Sequence, residues 1–189
     1  VQVAYQVELD PLQLELRVQL LISGLTPRET TLLAPALAPG NYDFEQFCRA
    51  VRDVCAFEPA TGKGIEMHRH GWSCYTAQQR GDVLGLSYTM DALPLPAAAA
   101  AAAAVAAHRD GHGQARRIAV GASYLRLAPH DGPCRVLYAV PRGWAVRHPA
   151  GALALGKNYW EYANYAQLLA TPVSFEEERH ALLAHVADC

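Results

Sequence analysis

From Val1 to Tyr88 apolar and polar residues alternate in short runs broken by turn residues. Val3, Tyr5, Val7 and Leu9 alternate with Gln2, Ala4, Gln6 and Glu8, the period of a half-buried strand. Asp10-Pro11 makes a turn. Leu12, Leu14, Leu16, Val18, Leu20 and Ile22 then alternate with Gln13, Glu15, Arg17 and Gln19, which predicts one long strand. It has one wet face and one dry face and is therefore expected to pair antiparallel. Ser23-Gly24 and Thr26-Pro27 end it, and Thr30 to Leu33 is a short third strand. The stretch from Ala34-Pro35 to Pro39-Gly40 is a proline-punctuated loop that cannot pair inside a sheet. Phe44 to Arg52 fits one helical turn or an irregular crossing. Val54, Ala56 and Glu58 resume an extended pattern before the turn at Thr61-Gly62-Lys63-Gly64. Ile65 to Arg69 and Trp72 to Ala77 predict a hairpin about His70-Gly71, and Asp82 to Asp91 a further strand.

The segment from Leu93 to Gln114 breaks this rhythm. Pro94 and Pro96 precede an alanine run, Ala97 to Ala107, that is helix-prone yet lacks an amphipathic stripe. It reads as an inserted loop carrying at most a short helix. Strand pattern returns over Ile118 to Leu127, followed by a turn at His130-Asp131-Gly132-Pro133 and a strand from Arg135 to Val140. Pro141-Arg142-Gly143-Trp144 is a turn that delivers a tryptophan to the core. Tyr159, Trp160, Tyr162 and Tyr165 cluster before a helical turn capped by Asn164 and stopped by Thr171-Pro172. Many short strands at this spacing predict a sandwich or an open barrel-like sheet.

Composition narrows the function more than the fold. Half of the 189 residues (51 %) are apolar, so one packed domain is expected rather than disorder. A formal charge of −2 argues against binding nucleic acid by neutralising phosphates. The alanine run is too short to span a bilayer, and no charged-then-apolar leader opens the chain, so neither nucleic acid nor a membrane is expected as a partner. The start at Val1 rather than Met suggests a processed or excised piece. Cys48, Cys55, Cys74, Cys134 and Cys189 are an odd number without C-x-x-C spacing. They read as buried or free thiols in a reducing compartment, hence cytoplasmic rather than periplasmic.

Motifs for catalysis are absent from the chain. There is no H-E-x-x-H, no G-x-S-x-G elbow and no phosphate-cradling glycine loop. His68-x-His70 could place two imidazoles on one face of a strand, but no third ligand has a defined spacing to them. His108 and His112 sit beside glycines in the inserted loop. Ser73-Cys74 beside His70 suggests a thiol with a base, on side chains that point to differing faces. The expectation is a chain with no catalytic residues, no metal site and no cofactor.

Several stretches taken together resemble the N-terminal domain of the glycyl-aminopeptidase family of zinc metallopeptidases, multidomain enzymes that often carry a PDZ domain. They are Tyr5 to Pro11 with the strand ending Ile22-Ser-Gly-Leu25, then Leu33-Ala-Pro35 to Ala38-Pro-Gly-Asn-Tyr42 with Asp43-Phe44. Trp72, Tyr88 to Ala92, Val140-Pro-Arg-Gly-Trp144 and Asn164-Tyr165-Ala-Gln-Leu168 to Pro172-Val173 follow in the family's order. Two departures stand out: Ala36 and Leu37 replace an aromatic before Pro39-Gly40, and Ala170 replaces the acidic residue of a D-x-P step.

The resemblance implies a mainly β fold, an antiparallel saddle-like β-sandwich, here with the alanine-rich insertion. It implies an accessory domain over residues 1–175, with 176–189 starting a linker or strand toward a catalytic domain absent from this chain. That domain, in the same polypeptide, would hold the zinc and bind the peptide substrate. This chain would be inactive alone and would pack beside it and shape its cleft. Pro39, Gly40, Tyr42 and Phe44 are the expected interface or cleft-lining residues. The rival is a free-standing sandwich that binds peptide or carbohydrate on Tyr159, Trp160, Tyr162 and Tyr165. At the end of the chain, Ser174-Phe-Glu-Glu177 has the form of a helix capping box. The resemblance implies instead an extended segment carrying His180, Leu182, Ala184 and Val186 on one face, and the strand is the expectation here.

Overall fold

Strand β1 (Gln2–Asp10) and strand β2 (Glu15–Ser23) pair antiparallel along their full length, with Val3 opposite Ile22 and Leu9 opposite Leu16. Both bury every second residue, so Val3, Tyr5, Val7 and Leu9 join Leu16, Val18, Leu20 and Ile22 on one dry face. The expected strand from Leu12 is shorter than its alternation suggests. The Asp10 carboxylate accepts from the backbone N–H of Leu12 and of Gln13, each at 3.1 Å, and closes a turn through Leu14. Leu14 has a left-handed φ of 54° and Leu12 is 89 % exposed, so the turn chemistry of Asp10 outweighs the leucine periodicity there.

This computed structural model describes residues 1–26, 28–34, 51–71, 73–91, 93–94, 117–120 and 124–178. The alanine run, the Pro35–Phe44 stretch and residues 179–189 lie outside them, and with them the expectations for the insertion and for the strand through His180 to Val186. After β2 come β3 (Glu29–Leu33), β4 (Val51–Phe57), β5 (Gly64–Ile65), β6 (Met67–His70), β7 (Cys74–Gln78), β8 (Val83–Asp91) and β9 (Leu93–Pro94). Then follow β10 (Arg117–Ala119), β11 (Arg126–Ala128), β12 (Cys134–Ala139), β13 (Trp144–Arg147), β14 (Leu153–Gly156), β15 (Tyr159–Tyr162), helix α1 (Tyr165–Ala170) and β16 (Ser174–Glu177).

The strands form an eight-stranded sheet, in the order β14-β15-β12-β1-β2-β8-β4-β5, and two four-stranded sheets, β13-β16-β10-β9 and β11-β3-β7-β6. The pairings are antiparallel except that β1 runs parallel to β12, Val3 opposite Cys134 through Glu8 opposite Ala139. The dry face of the large sheet, with Leu84, Leu86, Tyr88 and Met90 of β8 and Val136 and Tyr138 of β12, shares one core with Leu32, Tyr75, Ala77, Leu127, Ile118 and Phe175 of the small sheets. This is the expected mainly β sandwich.

One local reading changes. Ile118 to Leu127 is not one strand: β10 lies in one small sheet and β11 in the other. Ser174–Glu177 is β16, paired with β10 on one side and β13 on the other, extended as expected rather than a helix cap. A central ladder position and the fully buried Phe175 outweigh the capping-box pattern. The helical turn at α1 is as read: the Asn164 side chain accepts from the Gln167 N–H, and Thr171 ends the helix.

Candidate functional site

The four residues expected at an interface, Pro39, Gly40, Tyr42 and Phe44, lie outside the described residues. The described residues that flank this stretch are Ala34 and Val51. On one side the Ala34 N–H donates to the Ser73 carbonyl at 2.7 Å, and on the other Val51 pairs with Met90. Beside Val51 is a hollow of about 480 Å³ lined by Val51, Arg52, Asp53, Val54, Met67, Arg69 and Tyr75. Asp53 has a left-handed φ of 54° at a bulge where the register of β4 on β8 shifts. The bulge turns the strand out of the flat sheet and gives the rim its shape. Arg52 pairs with Glu15 at 2.9 Å, and the Arg69 guanidinium lies 5.6 Å over the Tyr75 ring. Among its described residues the rim presents no nucleophile with its base.

His68 and His70 both sit on β6, as the hairpin reading requires, but they engage different partners. His68 Nε2 is 3.5 Å from Glu66 Oε1, and His70 Nε2 is 2.9 Å from the Thr76 hydroxyl. Among the described residues no three His, Cys, Asp or Glu side chains converge as metal ligands. These residues therefore do not fit a zinc centre. Cys74 stands opposite His70 in the β6–β7 ladder, yet the imidazole bonds Thr76 and not the thiol. Burial pushes the Cys134 thiol up to about 12, which makes it inert at neutral pH.

The aromatic cluster of Tyr159, Trp160, Tyr162 and Tyr165 is largely turned inward. Tyr162 is fully buried, and its hydroxyl lies 2.9 Å from that of Tyr138 and 2.7 Å from His148 Nε2. Trp160 stacks on the His148 ring at 4.3 Å with the planes 7° apart. Tyr165 donates its hydroxyl to the Tyr124 carbonyl, and Arg126 lies 5.9 Å over its ring. Three of the four rings are thus engaged in internal contacts rather than forming a free stacking platform.

The same tyrosines solve a problem set by the chain path. Where the backbone passes toward β11, Tyr124 and Leu125 are buried outside any ladder. A buried unpaired peptide group is costly. Tyr5 of β1 donates to the Leu125 carbonyl at 2.8 Å, and the Leu125 N–H donates to the Tyr88 hydroxyl of β8 at 3.1 Å. With Tyr165 on the Tyr124 carbonyl, three hydroxyls take the place of strand partners. Burial holds the hydroxyls of Tyr5, Tyr88, Tyr124 and Tyr138 well above the ordinary phenol range, so all remain neutral. No local pattern marks these roles, because Tyr5 and Leu125 are 120 residues apart in the chain. His148, too, carries no sequence signal.

The family model of the Peptidase M61 N-terminal domain matches residues 4–175. The comparison with curated proteins gives no match. Among solved structures, the chain is similar to an aminopeptidase N family protein from Idiomarina loihiensis, with a TM-score of 0.72 and 16 % identity. That likeness covers 92 % of this chain and 29 % of the other, so the chain spans under a third of its structural neighbour.

Proposed function

Since the chain belongs to the family of the Peptidase M61 N-terminal domain, we propose that it is the non-catalytic accessory domain of a zinc aminopeptidase-like enzyme. In this reading it packs beside a catalytic domain of the same polypeptide and shapes the cleft that receives a peptide. The observation that carries the reading is the family match over residues 4–175, nearly the whole described β-sandwich. A second support is the share of the structural neighbour that the chain covers, 29 %, which leaves most of that protein for other domains. The zinc of the implied enzyme would be held elsewhere: His68 engages Glu66, His70 engages Thr76, and no three ligands converge among the described residues.

Pro39, Gly40, Tyr42 and Phe44 are the proposed contact residues, since aromatic side chains on a proline-framed loop bring large area with few rotors. The test begins with the reading frame beyond codon 189. An in-frame H-E-x-x-H with a downstream glutamate supports the proposal, and a frame that closes without one overturns it. In the enzyme so defined, Tyr42→Ala and Phe44→Ala should raise KM about five- to thirtyfold while zinc content stays at one per chain, as lost contacts of about 1–2 kcal/mol require. An unchanged KM for both would remove these residues from the cleft.

A further inference from the structure

The His148 imidazole lies at one end of a run of hydroxyls that enters the core. Its Nδ1 is 2.6 Å from the Pro149 carbonyl, which can only accept, so Nδ1 carries the proton. Nε2 of the neutral ring is then an acceptor, and the Tyr162 hydroxyl donates to it at 2.7 Å. Tyr162 has used its only proton, so Tyr138 donates to Tyr162 at 2.9 Å, and Tyr124 in turn donates to Tyr138 at 3.4 Å. One carbonyl thus sets the sense of the whole chain. At the inner end the Tyr124 hydroxyl has Tyr138 as its partner, with no further acceptor among the described residues.

We propose that His148 is an acid-sensitive latch that holds the turn at residues 148–152 on β15. The neutral ring is clamped between its stack on Trp160 and the bond from Tyr162. A protonated ring would turn Nε2 into a donor and reverse each hydroxyl, leaving the buried Tyr124 proton with no acceptor among the described residues. That reversal opposes the charge, and the turn is released when acid imposes it. The groups that face the ring are Trp160 and Tyr162 from β15 and Tyr138 from β12, with Phe175 of β16 behind Tyr138. None is a carboxylate that would favour the cation. The nearby charges are engaged with one another: Arg147 with Glu176, and Arg135 with Glu161. Cys134 is a neutral thiol near Tyr138 and Tyr162. Burial also lowers the proton affinity of His148, opposed by the Pro149 carbonyl. As pH falls through about 6.5, the unfolded chain therefore takes up a proton before the folded one, and stability declines. The turn matters because it leads into β14, the edge strand of the large sheet, on which Leu153 and Leu155 are exposed.

Long-range proton–nitrogen spectra of the imidazoles in the full chain, taken between pH 4.5 and 8, test the latch. The expected result is the Nδ1–H tautomer for His148 and a midpoint below the ordinary histidine value of about 6.5. Tyr162→Phe should raise the His148 midpoint by roughly 0.4–1.1 units, the equivalent of one lost hydrogen bond. In the unmodified protein, amide exchange at Gly151 and Ala152 should quicken with the same midpoint, a readout that stands even where Tyr162→Phe does not fold. The Nε2–H tautomer, an unmoved midpoint in Tyr162→Phe, or amide exchange at these residues that ignores the titration would each overturn the proposal.

Discussion

The centre of the large sheet and the half that leads to β14 bury similar kinds of surface by different means. In β1, β2 and β8 the buried positions are mostly aliphatic, and long unbroken ladders satisfy the backbone: Val3 to Leu9, Leu16 to Ile22 and Leu84 to Met90. Around β12, β15 and the Tyr124–Leu125 backbone, the ladders are short and tyrosine hydroxyls complete the hydrogen bonding. The first region depends on shape and area, which are non-directional and tolerate small shifts. The second depends on atoms that must meet within a few tenths of an ångström. A polar network of this kind is worth having only when every member is satisfied.

Substitutions can sharpen or break this contrast. The largest effects belong to the aliphatic centre: Leu20→Ala and Leu86→Ala, both essentially without exposure, should each lower stability by about 2–5 kcal/mol in urea unfolding. A loss below about 1 kcal/mol would mean that the centre is loosely packed. The hydroxyls that serve the second region from β1 and β8 follow: Tyr5→Phe and Tyr88→Phe keep the ring and remove one oxygen, stranding the Leu125 carbonyl or N–H. Each should cost about 1–3 kcal/mol, and the double variant should depart from the sum because both serve one residue. Strict additivity would separate the two bonds and weaken the idea of a network.

Local devices come next. Asn164→Ala removes the acceptor for the Gln167 N–H and should cost about 1 kcal/mol, with helix α1 losing amide protection first. Arg17→Ala, which opens the exposed pair with Asp10, should change stability by less than about 1 kcal/mol. A larger loss would show that the β1–β2 turn leans on that pair rather than on the Asp10 bonds to Leu12 and Gln13. Calorimetric melts at two salt concentrations distinguish the cases, since the ion pair is screened and the backbone bonds are much less so.

How much the sequence by itself determined follows from the range over which each force acts. Alternation is a local property, so β1, β2 from Glu15, the β6–β7 hairpin, β8, the helical turn at Asn164 and the sandwich class were all legible in it. The resemblance to a peptidase N-terminal domain was likewise carried by short blocks in order, and the family match over residues 4–175 agrees with it. Where two local signals competed, periodicity alone gave the wrong boundary, as at Leu12 and Leu14, where a carboxylate capped a turn inside a leucine pattern. The expected contact residues Pro39, Gly40, Tyr42 and Phe44 lie beyond what the structure describes. Tertiary structure alone decided the parallel pairing of β1 with β12 and the division of Ile118 to Leu127 between two sheets. It also decided that Tyr162 is a buried link to His148 and not part of an open aromatic surface. Each of these depends on partners far away in the chain, and a hydrogen bond between residues 120 positions apart leaves no periodic trace in either neighbourhood.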